Sequence, residues 1–279
     1  MKKITNERIL DYKAFLIESE KSKSTLDKYI RDVSAFAMWL SDRSLNKAEV
    51  LLYKNHLLEK YAPASVNAAI SSLNSFFEFN EWFELKIKSI RIQRQLFFGS
   101  DKQLSKKEYE KLLSIALESG NKRLYLLMQT ICACGIRVSE LEFITTDSIK
   151  RGVAVINCKG KIRRVYLPEQ LCKALKEYAR ERNIYHGAVF VTKSGKPLDR
   201  SNIWSDMKKL CKMSGISESK VYPHNLRHLF ARTYYTSQKD VVRLADILGH
   251  SNVNTTRIYT METGETHRKQ IQNLGLLSC

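Results

Sequence analysis

No run of this sequence is apolar for long enough to cross a bilayer, which predicts a chain that does not span a membrane. The N-terminus opens Met1-Lys2-Lys3-Ile4-Thr5 without the apolar core or cleavage site of a signal peptide, so a cytoplasmic protein is expected. Its six cysteines (Cys132, Cys134, Cys158, Cys172, Cys211 and Cys279) form no Cys-x-x-Cys pair and no Cys/His quartet, against structural zinc and for reduced, mostly buried thiols. No Gly-x-x-x-x-Gly-Lys-Ser/Thr loop is present to hold ATP. No internal repeat or low-complexity tract interrupts the chain. Acidic residues are scarce relative to basic ones.

That imbalance is the first positive signal. The 279 residues carry 47 Lys/Arg against 29 Asp/Glu, a net charge of +18 that favours a polyanionic partner. Residues 1–100 hold 16 basic against 12 acidic residues, and residues 101–279 hold 31 against 17. The second part should therefore carry the denser phosphate contacts. The basic residues are spread rather than gathered in a tail, as on a folded binding face.

The first 85 residues read as four amphipathic helices. One runs through Ile9, Tyr12, Phe15 and Leu16. Ser24 is the expected N-cap of a second, with Leu26, Tyr29, Ile30, Val33, Phe36 and Leu40 on its apolar face. Asn46 with Glu49 resembles a capping box before a third, through Val50, Leu51, Tyr53, Leu57 and Leu58. Pro63 suits the first turn of a fourth, with Val66, Ile70, Leu73, Phe76 and Phe77 on one face. Residues 86–103 alternate apolar and basic side chains and read as a basic linker, either along a nucleic-acid backbone or as a plain connector or strand.

A second unit over 104–279 starts at the capping-box pattern Ser105-Lys-Lys-Glu108, and helices are expected near 106–118, 121–134 and 137–143. Two short strands, 152–156 and 163–167, should flank a turn at Lys159-Gly160, with a third strand at 188–191. Helices follow from about 199. The predicted fold is mostly α with a small antiparallel β-sheet.

The chemically informative residues lie in this unit. Arg137 and Glu140 belong to Gly135-Ile-Arg-Val-Ser-Glu-Leu141, Lys159 to Cys158-Lys-Gly-Lys161, His224, Arg227 and His228 to His224-Asn-Leu-Arg-His228, and His250 to Leu248-Gly-His250. Tyr259 follows nine residues later. Singly each has an ordinary reading, such as a surface arginine, a solvated hairpin turn, a helix cap or a core tyrosine. In this order and at these spacings they resemble the signatures of the tyrosine recombinases, the phage-integrase and Xer-type family, along nearly the whole chain.

The resemblance implies a two-domain clamp, a helical core-binding domain over 1–85 and a catalytic domain over 104–279, without the extra arm-binding domain some phage integrases carry. It implies that Tyr259 attacks DNA to form a 3′-phosphotyrosine. Arg137 and Arg227 would hold the non-bridging oxygens of the scissile phosphate, His224 and His250 would complete the pocket and assist proton transfer, and Lys159 would protonate the leaving 5′ oxygen. Glu140 and His228 would support these groups. Lys161, two residues from Lys159, is the alternative acid. The usual Thr-Gly before the arginine motif reads Cys134-Gly135 here.

The residue types suit that reaction. A phosphodiester repels nucleophiles and gathers more charge in the transition state, which two always-charged guanidiniums can grip bidentately. Each positioned donor of this kind is worth about 3–4 kcal/mol. A phenol with an ordinary pKa near 10 must lose its proton as it attacks, and the alkoxide that leaves needs an acid. No acidic cluster suited to Mg²⁺ accompanies the basic residues, so neither metal nor ATP is expected as a cofactor. The expected function is site-specific DNA recombination, integrating or excising a mobile element. Xer-like dimer resolution, type IB topoisomerase-like relaxation and a non-catalytic DNA-binding protein are the alternatives. The expected partners are double-stranded DNA carrying specific sites, three further copies of the chain on two sites, and an accessory protein such as an excisionase. The tail 268–279 docks on a neighbouring subunit or packs on its own domain.

Overall fold

The computed structural model describes residues 2–92, 102–158, 161–192, 194–259 and 272–273. The chain divides into two compact units, 1–94 and 95–279. Lys159, half of the expected linker (93–101) and most of the expected docking tail lie outside the described residues. No described helix is long and apolar enough to cross a membrane.

The first unit contains α1 (Asn6–Glu18), α2 (Lys23–Leu40), α3 (Lys47–Lys60) and α4 (Pro63–Phe79), followed by a 3₁₀ turn, Phe83–Leu85. The cap of α2 is Ser22 rather than Ser24: the Ser22 hydroxyl accepts from Thr25 N, and Ser24 already lies within the helix. Asn46 accepts from Glu49 N at 3.0 Å, and Pro63 begins α4, where its missing N–H costs nothing. The core is strongly aromatic, with Tyr12, Phe36, Phe76 and Phe77 fully buried. Phe15 and Leu51, expected on buried faces, are exposed. Residues 86–92 lie along α4. Asn67 exchanges two hydrogen bonds with the backbone of Ile90, and Asn74 does the same with Ile87, so two amide side chains take the place of a strand ladder.

The second unit is mostly helical with one small sheet. Its elements are α5 (Lys106–Glu118), α6 (Lys122–Cys134), α7 (Thr146–Arg151), β1 (Val153–Cys158), β2 (Lys161–Tyr166), α8 (Glu169–Glu181), α9 (Arg200–Ser214), α10 (Pro223–Gln238) and α11 (Val241–Leu248). Helix α6 is apolar nearly all round and central, packed by α5, α8, α9 and α10. Ser105 and Glu108 form the reciprocal capping box at the start of α5. Residues 138–143, expected as a helix, form a 3₁₀ segment. The expected third strand at 188–191 makes only isolated bridges, Thr145 with Ala188 and Val191 with Pro197. Its apolar residues Val189 and Phe190 are buried, but Val189 N bonds to Ile144 O, so the segment is tied to a loop and not to the hairpin.

Strands β1 and β2 pair antiparallel, Ala154 opposite Val165 and Ile156 opposite Arg163. Ala154, Ile156 and Val165 are buried, while Val155, Ile162 and Tyr166 face outward. Cys134, Cys172 and Cys211 are buried free thiols, and burial pushes the half-buried Cys132 thiol up to about 11.

Candidate active site

Helix α10 supplies three of the site's side chains from one face. His224, Arg227 and His228 stand at i, i+3 and i+4, a spacing that helical geometry places together. Pro223 occupies the first turn and sets the helix start immediately before His224.

Arg227 is the centre of the arrangement and is only 1% exposed. A guanidinium so buried must have its N–H groups satisfied. Nη1 donates to Gly135 O and Nη2 to Leu248 O, both at 2.7 Å. Gly135 caps the end of α6 and Leu248 is the last residue of α11, so these acceptors are carbonyls at helix C-termini, where the helix dipole is negative. Two helix ends thereby offset the desolvation of one cation. Burial first, and Arg137 next, lower the Arg227 pKa to about 10, which leaves it charged at neutral pH.

Both helix ends require glycine. Gly135 has φ +62°, and a Cβ there would stand 2.4 Å from the Phe230 ring. Gly249 has φ +65°, and a Cβ there would stand 2.7 Å from Arg163 Cδ. The Gly residues of the Gly-Ile-Arg and Leu-Gly-His sequences are thus where other segments pass against the backbone.

Among the described residues Glu140, 1% exposed, is an anion that faces three guanidiniums. Its Oε1 accepts from Arg137 Nη1 at 2.8 Å, and its Oε2 from Arg163 Nη2 and the Arg137 backbone N–H, each at 2.7 Å. Arg227 Nη1 stands 3.9 Å from the same carboxylate. Among the described residues the cluster sets three guanidiniums against one carboxylate. Arg137, with a side chain 38% exposed, presents its charge to a cleft of about 600 Å³ that His224, Arg200 and Trp204 also line.

His250 follows α11. Its Nε2 lies 3.0 Å from Arg227 Nη2 and its Nδ1 lies 2.8 Å from Thr256 Oγ1. A guanidinium only donates, so Nε2 must accept, and the imidazole proton is assigned to Nδ1. Thr256 is fully buried and holds this tautomer. Tyr259 ends a 3₁₀ turn, Arg257–Tyr259, whose start is held by Tyr259 N donating to Thr256 O. Its ring centroid lies 5.0 Å from His228 and 6.4 Å from His250, and the phenol is 5% exposed.

Burial raises the Tyr259 pKa above its ordinary value, while the charge and hydrogen bond of Arg227 and the charge of Arg137 act in the opposite sense. Without DNA the phenol is therefore protonated. The imidazoles shift down. Burial, followed by Arg227 and Arg137, lowers His224. Burial, followed by the same two arginines, brings His250 to about 4, and burial with His224 and Arg232 brings His228 to about 3.

These depressed values give a pH prediction. Relative to an ordinary value of 6.5, the folded DNA-free protein binds fewer protons than the unfolded chain from pH 6.5 down to about 3 for His228. The stability this group contributes is complete above pH 6.5 and is lost as pH falls toward the folded value. At pH 5 the loss from His228 alone is up to about 2 kcal/mol. Melting curves at pH 7 and pH 5 should show a lower Tm at pH 5, and His228→Gln should shrink that difference; an unchanged difference would contradict the assignment.

Arg137, Glu140, His224, Arg227, His228, His250 and Tyr259, all singled out from sequence, thus come together in one cluster, of which Arg137, His224 and Arg227 line the cleft. Lys159 lies outside the described residues, and of Lys161 only the backbone, at the start of β2, is described. Two contributors were not expected. Arg163 has a sequence signal: it occupies the inward face of β2, where its neighbour Val165 is buried, and an arginine among inward-facing apolar residues needs a buried partner. Thr256 has none, because a threonine nine-tenths of the way along such a chain is ordinary until His250 is seen against it.

Comparison with known proteins places this geometry. The model of the phage integrase family matches residues 102–265, and that of the phage integrase N-terminal SAM-like domain matches residues 9–83. The chain is 29% identical to tyrosine recombinase XerA of Thermococcus kodakarensis, covering 98% of this chain and 96% of the relative. It is 30% identical to tyrosine recombinase XerD of Proteus mirabilis, covering 91% and 87%. In fold it is similar to a lambda integrase tetramer bound to a Holliday junction, with a TM-score of 0.73 at 19% identity, covering 92% of this chain and 77% of that one.

Proposed function

This chain belongs to the phage integrase family, site-specific tyrosine recombinases that cleave and rejoin DNA, and from that premise we propose how its own residues carry the reaction. Tyr259 Oη attacks the scissile phosphorus, the P–O5′ bond breaks, and a 3′-phosphotyrosine forms. Arg137 and Arg227 hold the two non-bridging oxygens. Glu140 fixes the Arg137 guanidinium, and the helix ends at Gly135 and Leu248 fix that of Arg227. Donors held in this way need no rearrangement when charge develops.

The bound phosphate also changes the proton balance. In the free protein burial first, and then the charges of Arg227 and Arg137, suppress protonation of His224 and His250. A phosphate anion between them offsets that repulsion and raises both imidazoles, which makes them acceptors for the phenol proton when substrate is in place. A lysine of the β1–β2 turn, Lys159 or its alternative Lys161, protonates the departing 5′ oxygen. Because the phosphotyrosine keeps the energy of the broken bond, rejoining needs no ATP, and the fixed guanidiniums supply the positive charge that a metal would otherwise bring. The helical unit over 1–85 binds the duplex together with the catalytic unit, joined by the basic segment 86–103.

The observation that carries this reading is geometric: within one chain the buried Arg227 stands 3.0 Å from His250 Nε2 and the Tyr259 ring lies beside His250, so that each subunit would cleave with its own tyrosine. Four strands are exchanged in recombination, which calls for four copies on two DNA sites; the lambda integrase tetramer on a Holliday junction supports this. The tail 268–279 would link neighbouring copies. Integration or excision of a mobile element, aided by an accessory protein of the excisionase kind, is the proposed biological role. The Xer names of the full-length relatives favour dimer resolution as the second reading.

The test is covalent trapping. A duplex nicked beside the cut site loses its short 5′-hydroxyl strand on cleavage and leaves protein attached to the 3′ phosphate. Adducts are expected to form undiminished in EDTA, and a strict requirement for Mg²⁺ would overturn the mechanism. Sequencing DNA ends trapped in cells then separates the two roles: ends at the borders of an inserted element mark integration, and ends at one chromosomal or plasmid site mark resolution.

A further inference from the structure

We propose that Arg163 is a positioning residue that locks the β1–β2 hairpin onto the phosphate pocket and thereby delivers the hairpin's proton donor to the leaving oxygen. The inference rests on the reading, given above, that a lysine of this hairpin protonates the 5′ oxygen.

Three observations carry it. First, Arg163 lies in the middle of β2 opposite Ile156, on the face where Ala154, Ile156 and Val165 are buried, and its own side chain is 14% exposed. Second, its guanidinium spans two separate parts of the pocket. Nη2 donates to Glu140 Oε2 at 2.7 Å, and Nη1 donates to Leu248 O at 3.2 Å. Glu140 also holds Arg137, and the Leu248 carbonyl also holds Arg227. Arg163 therefore shares one acceptor with each of the two arginines assigned to the phosphate. Third, the side chain crosses the backbone of Gly249, where any Cβ would meet it at 2.7 Å. The absence of a side chain between Leu248 and His250 makes room for an arm that comes from the hairpin.

The mechanical consequence follows from where the hairpin is tied. Its inner face packs into the core through Ala154, Ile156 and Val165, and among the described residues Arg163 is the side chain that links it to the phosphate pocket. Lys161 starts β2 and Lys159 lies two residues before it in sequence, so both lysines are within four residues of Arg163 along the chain. A fork with two fixed acceptors sets where this arm sits relative to Arg137, Arg227 and His250. Loss of the fork leaves the phosphate site filled and the acid misplaced. Misplacement of about 1 Å costs on the order of 100-fold in rate.

The two roles, structural support and delivery of a proton, separate by leaving-group chemistry. When sulfur replaces the bridging 5′ oxygen, attack by Tyr259 still forms the O–P bond and breaks the P–S bond, but the thiolate leaves without a proton. Single-turnover cleavage of oxygen- and sulfur-bridged nicked duplexes would be compared for the full-length protein, Arg163→Ala and Arg163→Lys, with melting temperatures measured for each. The lysine variant keeps the charge, loses the fork and guards against simple misfolding. Both are expected to cleave the oxygen substrate on the order of 100-fold more slowly, and the sulfur substrate within about threefold of the unaltered protein. Equal losses on the two substrates, or no loss on either, would overturn the proposal. Lys159→Ala and Lys161→Ala run in parallel: rescue by sulfur in one of them without rescue in the Arg163 variants removes the inference alone, and rescue in neither removes the reading it stands on and the inference with it.

Discussion

Tyr259→Phe is expected to bind DNA as tightly as the unaltered protein and to form no covalent adduct. The substitution removes a single oxygen. The ring keeps its edge contact with His228 at 5.0 Å and its place beside His250 at 6.4 Å, in a position that is 5% exposed. The favourable charge of Arg227 on the phenol oxygen is lost, while burial of a polar hydroxyl is relieved. Cleavage loses its nucleophile, a loss on the order of a millionfold where a covalent nucleophile is deleted. Denaturing gels of a nicked duplex would show no protein–DNA band beside an unchanged mobility shift on native gels. An undiminished adduct band would remove Tyr259 from the reaction.

Arg227→Ala and Arg137→Ala should cost cleavage similarly and stability very differently. Each removes one fixed donor from the phosphate, worth on the order of 10²- to 10³-fold in rate. Arg227, 1% exposed, also satisfies the Gly135 and Leu248 carbonyls and faces Glu140. Its deletion takes from the Gly135 carbonyl its side-chain donor and empties a fully buried volume between helix ends, and should lower stability by about 3–5 kcal/mol. Arg137 has a side chain 38% exposed, and Glu140 keeps Arg163 when it is lost, so its deletion should cost about 1 kcal/mol or less. Denaturant unfolding beside single-turnover cleavage checks both. Equal stability losses would show that Arg227 is not the internal brace described here.

The charge pattern of the cluster explains why the chain tolerates such strain in its protonation states. Among the described residues one carboxylate, Glu140, faces Arg137, Arg163 and Arg227. In the free protein burial first, and then the charges of Arg227 and Arg137, lower the pKa values of His224 and His250, and the same two arginines partly offset the burial of Tyr259. A site of this kind is incomplete without an anion. The electrostatic cost is carried by the free protein and is relieved by the substrate, which is where a phosphate-handling pocket gains from it.

Much of this was legible before any coordinates. The helical unit was readable because its apolar residues recur at helical spacing, and Ser105 with Glu108 announced the start of α5 by a local hydrogen-bonding pattern. The failures were also local. Ser24 and Ser22 both offer a hydroxyl to the start of α2, and only the backbone path chooses Ser22. Residues 138–143 have helical composition, but Glu140 turns its carboxylate back to Arg137 N and inward to Arg163, and the segment closes as 3₁₀. The run at 188–191 has strand composition, yet its backbone partners are in a loop.

What the sequence alone determined was which candidate groups lie close together, because their spacings are short: His224, Arg227 and His228 share one helical face, and Gly249 and His250 adjoin the end of one helix. Only the tertiary structure decided how those groups are held. Arg227 reaches a carbonyl 92 residues away and Arg163 one 85 residues away, and Thr256 acquires its role when His250 turns against it. Contacts at such separations arise from the packing of α6, α10, α11 and the hairpin against one another. No periodicity along the chain encodes them, since the geometry that creates each acceptor lies at a distant helix end or turn.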